Sequence, residues 1–81
     1  MNATQSLTAT IARLETERLR AAEAYVAGVL DYCGFYVHSP LTAAVQRLAD
    51  EYGWDAFEDE RIGEADIWPA LDACGVETSA R

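Results

Sequence analysis

The sequence predicts an all-α fold: a small helical bundle with one long N-terminal helix, about residues 2–33, and three shorter helices packed on it, about 40–52, 54–62 and 66–74. Three observations predict it. Apolar residues recur at helical spacing through the first third of the chain, and glycines at 34, 53, 63 and 75 punctuate the rest at intervals that suit short helices. No stretch alternates with period two over a useful length, so no strand is assigned; Val37 and its neighbours are the best exception.

At 3.6 residues per turn, Leu7, Ile11, Leu14, Ala22, Tyr25, Val29 and Cys33 form one stripe of the first helix, with Val26 and Leu30 on its shoulder. Arg13, Glu17, Arg20, Glu23 and Asp31 lie opposite. Asn2 with Gln5 three residues on has capping-box spacing, and Ser6 or Thr8 are alternative starts. Gly34 stops the helix in a left-handed conformation, letting Phe35 fold back onto Leu30. A rod of about 45 Å at 1.5 Å per residue exceeds the diameter expected of so short a chain, so part of its stripe needs cover from outside.

Ser39 as N-cap and Pro40 at the first helical position open the second helix, whose inner face is Leu41, Ala44, Val45, Leu48 and Tyr52. Gly53 ends it. The third helix sets Trp54 and Phe57 against Asp55, Glu58 and Asp59 and stops at Gly63. The fourth uses Asp66 as cap, holds Pro69 in its first turn and closes at Gly75, with Val76 folding back onto Leu71. Residues 77–81 read as a frayed tail.

Eighty-one residues support one domain, 1–81, with a limited core, and 51% hydrophobic with 25% charged residues is a folding composition. No signal peptide or membrane span is evident, and two cysteines make no disulfide framework, which points to the cytoplasm and to no membrane partner. The net charge is −8 and all six basic residues are arginine. Direct nucleic-acid binding draws on clustered positive charge, so it is not expected. Such acidity attracts a basic protein surface, although in most acidic domains it serves solubility alone.

Catalytic, metal and cofactor sites are not expected either. Cys33 and Cys74 each precede a helix-ending glycine, where the helix dipole disfavours a thiolate, so packing outweighs chemistry. His38 beside Ser39 has no oxyanion-hole glycines, and neighbours on a chain rarely face each other. Neither Cys-x-x-Cys nor His-x-x-x-His is present for zinc. Residues 17–34 and 58–75 share a spaced similarity ending in Cys-Gly; two helix ends using the same glycine stop account for it better than a duplication does.

Two sets of residues stand out. Asp55, Glu58, Asp59, Glu60, Glu64 and Asp66, interleaved with Trp54 and Phe57, combine a charged rim with aromatic anchors, as partner-binding surfaces do. Trp68 belongs as well to a core as to a surface. Arg18, three residues after Glu15, breaks the first helix's apolar stripe, so it either reaches for water or pairs with a carboxylate. In a two-fold dimer through Leu7, Ile11, Leu14, Glu15 and Arg18 it would meet the second copy's Glu15 and set the register.

In size and charge over the whole chain, with no motif involved, the sequence resembles a loose class of small acidic inhibitors, often phage-encoded, that includes anti-CRISPR proteins and other nucleic-acid mimics. The resemblance implies a non-enzymatic protein-binding module that occupies a basic or nucleic-acid-binding surface of its target. The alternative is a small helical assembly adaptor working through the apolar stripe of the first helix.

Overall fold

A computed structural model of the chain describes the backbone of residues 3–81 and the side chains from Leu7 onward. It is all-α, with α1 Ala3–Tyr32, α2 Thr42–Tyr52, α3 Asp55–Glu58 and α4 Glu64–Cys74. Two three-residue strands, β1 Phe35–Val37 and β2 Thr78–Ala80, pair antiparallel with Tyr36 opposite Ser79. Asn2 and the side chain of Gln5 lie outside the described residues. Because α1 runs unbroken from Ala3, it does not start at Ser6 or Thr8.

The core forms where α1 meets α2 and α4. Ala22, Val26 and Leu30, one helical turn apart, pack with Leu41, Ala44, Val45, Leu48, Ala56, Phe57, Ile62, Ile67, Ala70 and Leu71. The shoulder of the predicted α1 stripe is thus its centre. Leu7, Ile11 and Leu14 are 62, 49 and 52% exposed. At 100° per residue they and Arg18 cluster roughly 90° around the helix from Ala22, Val26 and Leu30. The N-terminal half of α1 therefore projects from the body as an arm. The long axis reaches 50 Å against 23 and 21 Å, and the radius of gyration is 14.5 Å, where a compact chain of this length has about 12 Å.

Several helix boundaries differ from expectation, each for a local reason. α2 begins at Thr42 after Leu41, with no side-chain cap, because Ser39 Oγ accepts the Glu77 N–H at 3.0 Å instead. Tyr52 is 42% exposed and Ala49 takes its place inside, since the Tyr52 hydroxyl reaches out to Asp66 at 3.1 Å. α3 stops at Glu58, well before Gly63, because Glu60 itself adopts the left-handed conformation, φ 54°. The Arg61 N–H then reaches the Ala56 carbonyl at 2.8 Å and closes the helix end. α4 starts at Glu64, two residues early: Asp66 accepts the Gly63 N–H at 3.0 Å from within the first turn. Pro69 consequently falls in the second turn.

Two stops match the expected chemistry. Gly34 and Gly75 have φ of 90° and 65°, and Val76 N–H bonds the Leu71 carbonyl at 3.0 Å. Phe35, however, meets Trp68 edge-on at 4.9 Å. The tail is not frayed. His38 N–H donates to the Glu77 carbonyl at 2.8 Å, Arg81 N–H to the Gly34 carbonyl at 2.9 Å, and the Arg81 guanidinium pairs with Asp31 and lies over the Tyr36 ring. The similar segments 17–34 and 58–75 fold differently, since 17–32 is continuous helix and 59–63 is not helical.

Candidate protein-binding surface

Where the arm joins the body, α3 lies beside α1 and leaves a groove of about 410 Å³. Leu14, Arg18, Ala21 and Tyr25 line it from α1, Trp54, Phe57 and Glu58 from α3 and its approach. Gly53 puts Trp54 at the turn before α3. Trp54 rests half-buried against Phe57 at 5.9 Å between ring centres, and Tyr25 meets Phe57 edge-on at 6.2 Å. Tyr25 is fixed by a 2.6 Å hydrogen bond from its hydroxyl to the Ile62 carbonyl, and burial, followed by Glu60 and Asp66, raises its pKa.

Arg18 pairs with no carboxylate in the described residues; its guanidinium lies 5.6 Å over the Trp54 ring, a cation–π contact on an exposed face. It is the hinge between the two predicted sets. Leu14 and Arg18 from the first and Trp54, Phe57 and Glu58 from the second surround one groove.

The six acids do not form one face. Glu64 accepts hydrogen bonds from Trp68 Nε1 at 3.0 Å and Cys33 Sγ at 3.3 Å, and Asp66 serves Gly63 and Tyr52. Asp59 pairs with Arg61 at 3.4 Å. Asp55, Glu58 and Glu60 remain exposed, with no side-chain partner among the described residues. Trp68, bonded to Glu64 and packed on Phe35, is structural.

The groove residues outside the two predicted sets are Glu17, Ala21, Ala22 and Tyr25; Ala22 and Tyr25 stand on the predicted stripe of the first helix, and Ala21 alone among them was not singled out. A signal for Ala21 was present: Leu7, Ile11, Leu14, Arg18, Ala21 and Tyr25 follow one another at spacings of four and three, a heptad seam.

The cysteines remain separate and half-buried, with no disulfide. The Glu64 carboxylate, accepting the Cys33 S–H, raises the thiol pKa above its ordinary 9.0. Trp68 and Cys33 together lower that of Glu64 below 4.5. Thiolate is the reactive form, so Cys33 should alkylate with iodoacetamide at pH 8 more slowly than a free cysteine, and Glu64→Gln should quicken it. Peptide mass spectrometry reads both rates; equal rates in the two proteins would mean Glu64 does not hold the proton. Glu64, with its folded pKa depressed, contributes stability above its unfolded value that is lost as pH falls through the folded one.

His38 and Ser39 do not face each other. His38 Nε2 lies 2.6 Å from Ser79 Oγ on the exposed strand pair. Among the described residues no three His, Cys, Asp or Glu side chains gather as a metal site, and no helix is long and apolar enough to cross a membrane. The fold and surface define a small all-α domain with a projecting helical arm. Compared with protein-family models, curated proteins and solved structures, the chain matches none.

Proposed function

We propose that the chain is a non-enzymatic protein-binding module that assembles with a second copy of itself through the α1 arm. The observation that carries this reading is the arm's stripe: Leu7, Ile11 and Leu14 are each about half exposed or more, in line, on a helix that has left its own core. Exposed apolar residues scattered singly need no explanation, but a continuous stripe leading into an aromatic groove marks an interaction surface. Its length also matters. Residues 7–18 make about 18 Å of helix at 1.5 Å per residue, and a helix of that length standing alone in water is marginal. A covering partner supplies what the body does not.

The inhibitor reading keeps a narrower footing. Asp55, Glu58 and Glu60, exposed and without a hydrogen-bond or ion-pair partner among the described residues, are the carboxylates available to stand where phosphates would on a basic target surface, with Trp54 adding apolar contact. Half the acids expected in that role are engaged within the fold, and for that reason assembly is placed first.

Affinity capture from an extract of the producing cells, with wild type, Ile11→Asp and the triple variant Asp55→Arg, Glu58→Arg, Glu60→Arg, separates the two. Assembly through the arm predicts that Ile11→Asp removes self-association while the triple variant keeps it. An acidic inhibitor predicts a captured target that the triple variant loses and that wild type releases as salt rises, because exposed charges are screened. Self-association untouched by Ile11→Asp would end the arm reading.

A further inference from the structure

We infer that the groove between α1 and α3 takes an arginine-bearing segment of another protein, whose guanidinium displaces that of Arg18 from the Trp54 ring and pairs with the carboxylates at the groove's edge. The inference rests on the narrower reading above, an acidic surface meeting a basic target, and adds the seat and the side chain that fills it. It does not depend on what covers the arm.

The groove is a cation site that its own chain uses only by half. A guanidinium already lies 5.6 Å over Trp54, so the ring face admits one, and tryptophan is the aromatic side chain that attracts a cation best. Arg18 supplies that group but meets no carboxylate: the ion pairs among the described residues are Asp59 with Arg61 and Asp31 with Arg81. Glu17 and Glu58 line the same groove. Both are exposed, and neither side chain has a hydrogen-bond or ion-pair partner among the described residues. An arriving guanidinium gains ring and carboxylates together, where Arg18 has the ring alone. Arginine suits this better than lysine, because its planar group stacks on an indole and donates paired hydrogen bonds to a carboxylate.

Charge sets the sign of the occupant. Asp55, Glu58, Asp59 and Glu60 lie along α3 and the turn after it, and the one base that pairs with any of them is Arg61, with Asp59. Length sets its kind. Past Tyr25 the groove continues into a second, more open depression of about 570 Å³, edged by Gly28, Tyr32 and Glu60, and Tyr25 lines both parts. From Leu14 to Tyr32 is about 27 Å of helix at 1.5 Å per residue, far longer than a free amino acid. Each part offers an aromatic surface with an acid beside it, Trp54 with Glu58 in the first and Tyr32, 93% exposed, with Glu60 in the second. A chain segment with arginines spaced between apolar residues matches that sequence of contacts, and aromatic anchors inside a charged rim are what such interfaces use.

The probe is a synthetic peptide of about eighteen residues, which spans the groove as a helix, with arginine at every fourth position among leucine and alanine. A twin carries lysine at the same positions, and N-acetylarginine amide serves as the small-molecule comparison. Each is titrated into the intact chain and followed by the two indole N–H signals in nitrogen–proton NMR spectra. The Trp54 signal should move, while that of Trp68, whose N–H is held by Glu64, should not. The lysine twin should bind about two- to five-fold more weakly, and Arg18→Ala should tighten the arginine peptide by a similar factor, the range an exposed cation–π contact spans. Arg20→Ala removes the same charge from the opposite face of α1 and should change affinity less. Glu58→Gln should weaken binding, and rising salt should weaken it further.

An unmoved Trp54 signal, or an Arg18→Ala variant that binds more weakly than wild type, would overturn the seat. If the triple variant Asp55→Arg, Glu58→Arg, Glu60→Arg still loses the peptide in that case, the acidic surface keeps its role and only the groove is lost. No binding of any peptide even at low salt would remove both. N-acetylarginine amide binding as tightly as the peptide would make the occupant a small molecule and overturn the protein segment.

Discussion

Leu30→Ala should lower the unfolding free energy by about 3 kcal/mol, the middle of the range for truncating a fully buried leucine. Leu14→Ala, at a dilution that keeps the chain monomeric, should change it by less than about 0.5 kcal/mol, as surface substitutions do. The contrast is the point, because both are leucines of the same helix and both belong to its apolar pattern. Leu30 is 0% exposed among α2 and α4 residues, whereas Leu14 is 52% exposed. With a slope of about 1 kcal/mol per molar urea for a chain this small, the Leu30→Ala midpoint should fall by roughly 3 M. A domain of this size is stabilised by about 0.05–0.15 kcal/mol per residue in total, so Leu30→Ala consumes a large part of it and leaves a population unfolded at 37 °C. Equal losses for the two variants would mean that the core runs along the Leu7–Leu14 stripe, with the arm folded back on the body.

That contrast shows how α1 could be read so far and no further. Its existence, and the glycine stop at 34, were legible because periodicity over thirty residues is a strong signal. Its phase was not. Two apolar stripes about a quarter-turn apart, one covered by the body and one open, merge when the helix is projected as a single face. Only the arrangement of α2 and α4 tells them apart.

Boundaries failed where tertiary partners overrode local chemistry. Ser39 has the composition of an N-cap but gives its oxygen to Glu77. Glu60 ends α3 in a conformation that glycine would hold without strain, so nothing at that position announced a stop. The candidate surface was legible in parts. Trp54, Phe57, Glu58, Leu14 and Arg18 were each marked, but their meeting in one groove depends on how α3 lies against α1, a relation between segments about forty residues apart. Glu64 and Asp66 look like the other acids in sequence, and only the positions of Cys33, Trp68, Gly63 and Tyr52 set them apart.

Removal of residues 77–81 should destabilise the fold by about 1.5 kcal/mol, where a frayed tail would make no difference. The estimate is a balance. The tail contributes the β1–β2 ladder, the His38–Glu77 and Gly34–Arg81 backbone bonds, and the Arg81 contacts with Tyr36 and Asp31. Each hydrogen bond is worth about 1 kcal/mol net and the cation–π contact about 0.5–1 kcal/mol, while an exposed ion pair adds little. The latter two act at one residue, Arg81, so Arg81→Ala should account for less than half of the loss. Five residues gain order at the same time, which offsets much of the gross gain. What tips the balance is position. Phe35 and Val37, half-buried on β1, pack against the core, and without β2 the strand that holds them has an open edge. Phe35 in turn buttresses Trp68, so the truncated chain should show a shifted Trp emission before any change in helix content. Hydrogen exchange offers the direct check in the full-length protein. The amides of His38 and Arg81 should be protected together, since they bond across the same strand pair and open as one unit. Free exchange at Arg81 beside a protected His38 would show that the clasp ends at Glu77, and the truncation should then be repeated from Thr78 with no loss expected.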